Sequence, residues 1–146
     1  MKSPETYRHI IAKTRFGPAA IVWEHRTGKP AVRQILLSKP GLRSEAARKD
    51  LYPDSAEASC RLIDDLAARI AAFLEGADVS FSLEAMRLDL CPPFQRRVLL
   101  AEYGIPRGRV STYSRIAAHL GVPGGARAVG NALATNPFPI VIPCHR

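Results

Sequence analysis

The chain closes on Pro143-Cys144-His145-Arg146, a thiol followed by an imidazole and a guanidinium. A cysteine acts as a nucleophile when its thiolate is favoured, and a nearby base or positive charge favours it. The apolar run Ile140 to Ile142 reads as a buried extended segment, because Pro143 fixes its own backbone angle and biases Ile142 towards extended geometry. Cys144 then emerges from the core at a constrained place. Neighbouring side chains on an extended chain point apart, so any coupling of Cys144 to His145 runs through a water or a bend. For a lone cysteine beside a histidine, an inert buried thiol is the commoner state. Cys60, on a helical segment, and Cys91, ahead of a double proline, have only that reading, since neither has a base nearby in sequence.

The elements upstream must position this end of the chain. Pro92-Pro93 opens a helix, where proline is tolerated in the first turn, and Phe94, Val98, Leu99 and Tyr103 supply its apolar stripe as far as Gly104. Ile105-Pro106-Arg107-Gly108 breaks it. Ser111 or Thr112 is placed to cap a second helix carrying Ile116, Ala117 and Leu120, which stops at Gly121. After Val122-Pro123-Gly124-Gly125, a third helix runs from Ala126 to about Ala134. The last two helices make a helix-turn-helix unit of DNA-binding proportions. Gly125, Ala126, Ala128 and Gly130 surround Arg127. Glycine inside a helix costs about 1 kcal/mol relative to alanine, so Gly130 requires a compensating close approach, to a groove or to a neighbouring helix.

The first part of the chain has a different pattern. Tyr7 to Lys13, Ala19 to Glu24 and Ala31 to Leu37 read as three strands separated by turns at Phe16-Gly17-Pro18 and Thr27-Gly28-Lys29-Pro30. An antiparallel sheet is the simplest arrangement. Leu42 to Pro53 is poorly periodic, with at most a short helix from Ser44. Between Ser55 and Leu74, residues Leu62, Ile63, Leu66, Ala67, Ile70, Phe73 and Leu74 recur at helical steps, and Gly76 follows as a stop. Val79, Phe81 and Leu83 alternate with serines as a short extended segment. The expected class is therefore α/β: residues 1–88 form a small domain with a three-stranded antiparallel sheet and a helix, and residues 89–146 form an α-helical domain containing the helix-turn-helix.

Bulk properties narrow the partners. From Arg87 onward eight arginines face only Asp89 and Glu102, so six of the eight net positive charges lie there. Arginine suits phosphate contact, although a basic face that merely aids solubility has the same composition. Three widely spaced cysteines and four scattered histidines form no disulfide framework and no zinc or redox signature, so no metal and no cofactor are expected. No secretory leader or spanning apolar stretch is present, which places the chain in the cytoplasm.

Together these residues carry a resemblance. Asn136-Pro137 ahead of Pro143-Cys144-His145-Arg146, with Arg127-Ala128-Val129-Gly130 and Ser111-Thr112-Tyr113-Ser114 upstream, resembles the active domain of the O6-alkylguanine-DNA alkyltransferases. Phe94-Gln95-Arg96-Arg97-Val98 and the Ile105-Pro106-Arg107-Gly108 turn are similar to the same family. The likeness is close over residues 94–146 and general before them. It implies a ribonuclease H-like first domain and a winged-helix-like second one. It also implies a monomer that acts on double-stranded DNA containing O6-alkylguanine and transfers the alkyl group irreversibly to Cys144. By the same resemblance His145 is the base, acting through a water, and Asn136 orders the active-site turn. Tyr113 helps extrude and hold the target base, and Arg127 fills the space it leaves. Gly125, Ala126 and Gly130 face the minor groove, with Tyr113 and Ser114 among the DNA contacts. The family pattern runs on past Pro-Cys-His-Arg to a glutamate that orients the histidine, so the second domain is expected to be incomplete at its C-terminus. Two other readings are a lesion-sensing protein of the alkyltransferase-like kind, which lacks the acceptor cysteine, and a regulator reading the major groove, for which Arg127 and small residues offer few base contacts.

Overall fold

The computed structural model describes residues 5–146, which divide into two compact units, one ending at Arg87 and the other running from Leu88 to Arg146. The first unit is a four-stranded sheet with two helices. Strands β1 (Thr6–Ile11), β2 (Ala19–Arg26) and β3 (Lys29–Leu37) pair antiparallel in sequence order, and β4 (Ala56–Glu57) adds to the free edge of β1 in parallel. The β2–β3 hairpin closes on Thr27 (φ 49°) and Gly28 (φ 76°). Two successive left-handed residues are what a tight hairpin with the natural strand twist requires.

Strand β2 sits centrally, and Ala19 to Glu24 are all buried. Ala20, Val22 and Leu36 form one apolar cluster with Ile10 and Tyr52 against it, next to helix α1 (Ser44–Leu51). Helix α2 (Arg61–Leu74) packs on β1 and buries Ile63, Leu66, Ala67 and Ile70, the face marked out by the helical spacing. The expected extended segment at Val79 to Leu83 pairs with no strand among the described residues. Its alternation is used otherwise, Phe81 meeting Phe73 edge-on at 6.0 Å between ring centres. The chain is caught a few residues later. The Val32 N–H donates to Ala85 O, the Arg87 N–H donates to Val32 O, and the Arg87 and Arg33 guanidinium groups both pair with the buried carboxylate of Glu24.

The second unit holds α3 (Pro93–Tyr103), α4 (Tyr113–His119) and α5 (Ala126–Ala134), followed by an irregular segment to Arg146. It contains no strand, so its winged-helix likeness lies in the helices. Its core is Val98, Leu99, Ile116, Ala117, Val129, Ala132 and Leu133, closed by Phe138, Val141 and Ile142. Thr112 caps α4, its hydroxyl accepting from the Arg115 N–H at 3.2 Å. At the other end Gly121 is left-handed (φ 76°), the Gly121 N–H donates to Ala118 O and the Val122 N–H to Ala117 O. This paired closure of a helix by glycine sets the turn leading into α5. α3 ties the two helices together: Arg97 donates to Leu120 O at the end of α4, and the Gln95 amide donates to Ala132 O, Thr135 O and the Thr135 hydroxyl at the end of α5.

Candidate active site

The segment after α5 is a turn, not the extended run expected for Ile140 to Ile142. The Ile142 N–H donates to Phe138 O at 2.9 Å, and Ile140 takes a left-handed backbone with φ 74°. A β-branched residue rarely does this, because its side chain crowds the backbone there. Asn136 supplies the compensation. Its Oδ1 accepts from the Phe138 N–H at 2.8 Å and its Nδ2 donates to Ile142 O at 2.9 Å, so one side chain bridges the whole turn. Burial of Phe138, Val141 and Ile142 anchors it from the other side.

Cys144 leaves this turn directly after the buried Pro143 and is exposed, as is His145. The other two thiols differ. Cys91 is buried, and its thiol is pushed up by desolvation, with the Arg96 charge pulling the other way and Asp89 adding to the rise; Cys60 is half-buried beside the start of α2. Among the three, only Cys144 is exposed.

Arg146 is pinned on both sides. Its main-chain N–H donates to Glu102 Oε1 at 3.2 Å, and its guanidinium donates to Ile105 O at 3.0 Å. Glu102 is only 1% exposed, and its Oε2 is buried without a hydrogen-bond partner among the described residues. Burial raises its carboxyl above the ordinary range, against the lowering effects of the Arg146 N–H and of the His145 and Arg146 charges. Sequence reading missed Glu102. The available signal was its position: Val98, Leu99 and Glu102 fall at helical spacing on the buried side of α3, where an acid is out of place.

Tyr113, on the first turn of α4, is 48% exposed, and Gly130 on α5 lies under its ring. A Cβ at position 130 would lie 3.1 Å from Tyr113 Cε2 and 3.3 Å from Cδ2. The missing side chain thus makes room for Tyr113, which accounts for Gly130 without any groove. At Gly125 a Cβ would lie 2.9 Å from Val122 O, so this glycine too is set by its own turn. Arg127 and Ser114 are exposed and Ala126 is half-buried. We expect Gly130→Ala to change stability by no more than about 1 kcal/mol, since the helix gains what the crowded ring loses. The ring must shift, so any activity that depends on Tyr113 is expected to fall several-fold while the melting temperature barely moves. Unchanged activity would separate Tyr113 placement from function.

Residues 93–146 match the family model of the 6-O-methylguanine DNA methyltransferase DNA-binding domain. The methylated-DNA--protein-cysteine methyltransferase of Methanothermobacter thermautotrophicus is 46% identical over 84 residues, 58% of this chain and 47% of that protein. The enzyme of the same name from Mycobacterium tuberculosis is 39% identical over 102 residues, 70% of this chain and 58% of its own length. The chain thus spans about half the length of the curated relatives it matches. The crystal structure of the M. tuberculosis O6-methylguanine methyltransferase superposes with a TM-score of 0.72 at 27% identity, covering 97% of this chain and 77% of that one. A structure of the M. tuberculosis protein in complex with DNA gives 0.68 at 25% identity, covering 96% and 76%. From α3 to Arg146, with its Pro-Cys-His-Arg turn and helix-turn-helix, the chain carries a domain that matches the DNA-binding domain of the 6-O-methylguanine DNA methyltransferases.

Proposed function

We propose that the chain repairs O6-alkylated guanine in double-stranded DNA by moving the alkyl group onto Cys144. The observation that carries this reading is the exposed thiol at the end of a turn clasped by Asn136, within a domain of matching family. An alkyl carbon on O6 is shielded inside the base stack, so the nucleotide has to be rotated out before sulfur can approach in line with the C–O bond, at a cost of a few kcal/mol. The sulfur–carbon bond then forms as the carbon–O6 bond breaks. The thiol proton passes to His145, and the electron pair stays on the guanine, which takes up a proton in turn. Tyr113, half-exposed on the first turn of α4, donates to the flipped base and steadies that charge. A thioether has no good leaving group, so each chain acts once.

In this reading Arg127, exposed on the first turn of α5, fills the vacated space in the duplex, and Gly125, Ala126, Ser114 and Gly130 belong to the DNA-facing surface of the helix-turn-helix. The arginine excess from Arg87 onward supports phosphate contacts. Action as a monomer in the cytoplasm, where an exposed thiol stays reduced, completes the proposal. Among the described residues no helix is long and apolar enough to cross a membrane.

The test is to incubate the full chain with duplex DNA containing O6-methylguanine and weigh the intact protein. The expected result is the mass of one methyl group gained. No gain together with retained, lesion-selective DNA binding would replace the repair reading with a sensing one. Arg127→Ala is expected to slow repair in duplex DNA by at least about tenfold, and to leave transfer from the free alkylated base unchanged, because a free base needs no extrusion. Equal losses on both substrates would remove Arg127 from that role.

A further inference from the structure

Glu102 is a buried acid that the reaction above does not use. A carboxylate taken out of water is costly unless fully paired, and here one oxygen accepts only the Arg146 N–H while the other has no partner among the described residues. A neutral glutamine would fill the same space and accept the same N–H bond without that cost. What only the acid supplies is negative charge, and the charged groups acting on it are His145 and Arg146, both in the segment that carries Cys144.

We propose that Glu102 is a positioning residue for Cys144: it holds the segment following the nucleophile by accepting the Arg146 main-chain N–H, and its buried carboxylate attracts the positive charge of that segment. The inference rests on the reading of Cys144 as the nucleophile. Glu102 does not touch substrate and acts through its neighbours.

The charge has a cost in stability with a definite sign. The folded-state carboxyl is raised, so between the ordinary carboxylate range and its raised value the folded chain holds a proton that the unfolded chain has lost. Stability from this group is therefore lost as the pH rises from the ordinary carboxylate range through the raised value. Glu102→Gln is expected to raise the melting temperature at neutral pH, with the gain fading in acid, below the ordinary carboxylate range, where both states of the wild type are protonated.

The functional readout uses iodoacetamide on the full chain, with peptide mass mapping to follow Cys144 alone. Glu102→Gln is expected to react about tenfold more slowly at neutral pH despite its greater stability, a combination that a purely structural acid does not produce. On the acid side, the wild-type rate is expected to drop by one extra step of about tenfold as Glu102 takes up its proton, and below that step to run level with the rate of the variant. An acid limb in the wild type without that extra step, or an unchanged rate in Glu102→Gln, would overturn the inference. The wild-type limb needs no variant to fold. Because this probe requires no DNA, failure of methyl transfer with the iodoacetamide results intact would count against the repair reading and leave the Glu102 assignment standing.

Discussion

Cys144→Ser is expected to abolish methyl uptake from DNA, with a loss of more than about 1,000-fold, while leaving the fold and duplex binding intact. A hydroxyl of nearly the same size keeps the geometry but gives almost no anion near neutral pH, and an uncharged oxygen is a poor nucleophile towards an alkyl carbon. The side chain is exposed and contributes little to the core, so the folding stability is expected to stay within about 0.5 kcal/mol of the parent. Retained binding matters to the interpretation, because it shows that only the acceptor has been lost. Residual methyl uptake in this variant would transfer the chemistry to Cys60 or Cys91, neither of which is exposed.

The second large effect is expected at Asn136, through the turn and not through the reacting atoms. Asn136→Ala removes the acceptor for the Phe138 N–H and the donor to Ile142 O, both part-buried. Two lost hydrogen bonds with their partners left unpaired cost about 2–4 kcal/mol together. The turn also carries Ile140 in a left-handed backbone, a strain of about 1–3 kcal/mol that the clasp helps to hold. Released, the turn relaxes and Cys144, two residues past Ile142, moves with it. A displacement near 1 Å is enough to slow transfer on the order of 100-fold. We expect a melting temperature lower by roughly 6–15 °C and a transfer rate lower by about that 100-fold. Asn136→Asp keeps the acceptor for Phe138 and loses the donor to Ile142, so it is expected to fall between. Thermal melts beside single-turnover rates check both; a stable, fully active Asn136→Ala would show that the apolar anchors alone hold the turn.

The helices of the second unit were legible because each carries its own stop and start: Pro93 in the first turn of α3, Thr112 as the cap of α4, left-handed Gly121 at its end, and apolar residues at helical steps between. The three long strands were legible from alternation and from the Thr27-Gly28 turn. Strand β4 was not, since two exposed residues paired to the edge of β1 leave no local pattern. The turn at Ile140 was misread for a physical reason. Branched apolar residues ahead of a proline favour extended backbone, and only hydrogen bonds from a side chain further back, Asn136, override that preference. Gly130 signalled a close approach, but the partner, the Tyr113 ring, lies on another helix and required the packing. Glu102 was hidden because nothing in the sequence shows that residues 144–146 fold back along α3.

The most direct measurement follows a labelled methyl group from O6-methylguanine in duplex DNA to the protein, digests the chain and assigns the label to a peptide. One equivalent per chain is expected, all of it on the peptide ending at Cys144-His145-Arg146, with no further uptake when fresh DNA is added. Label left on the DNA, found at Cys60 or Cys91, or accumulating beyond one equivalent would contradict it.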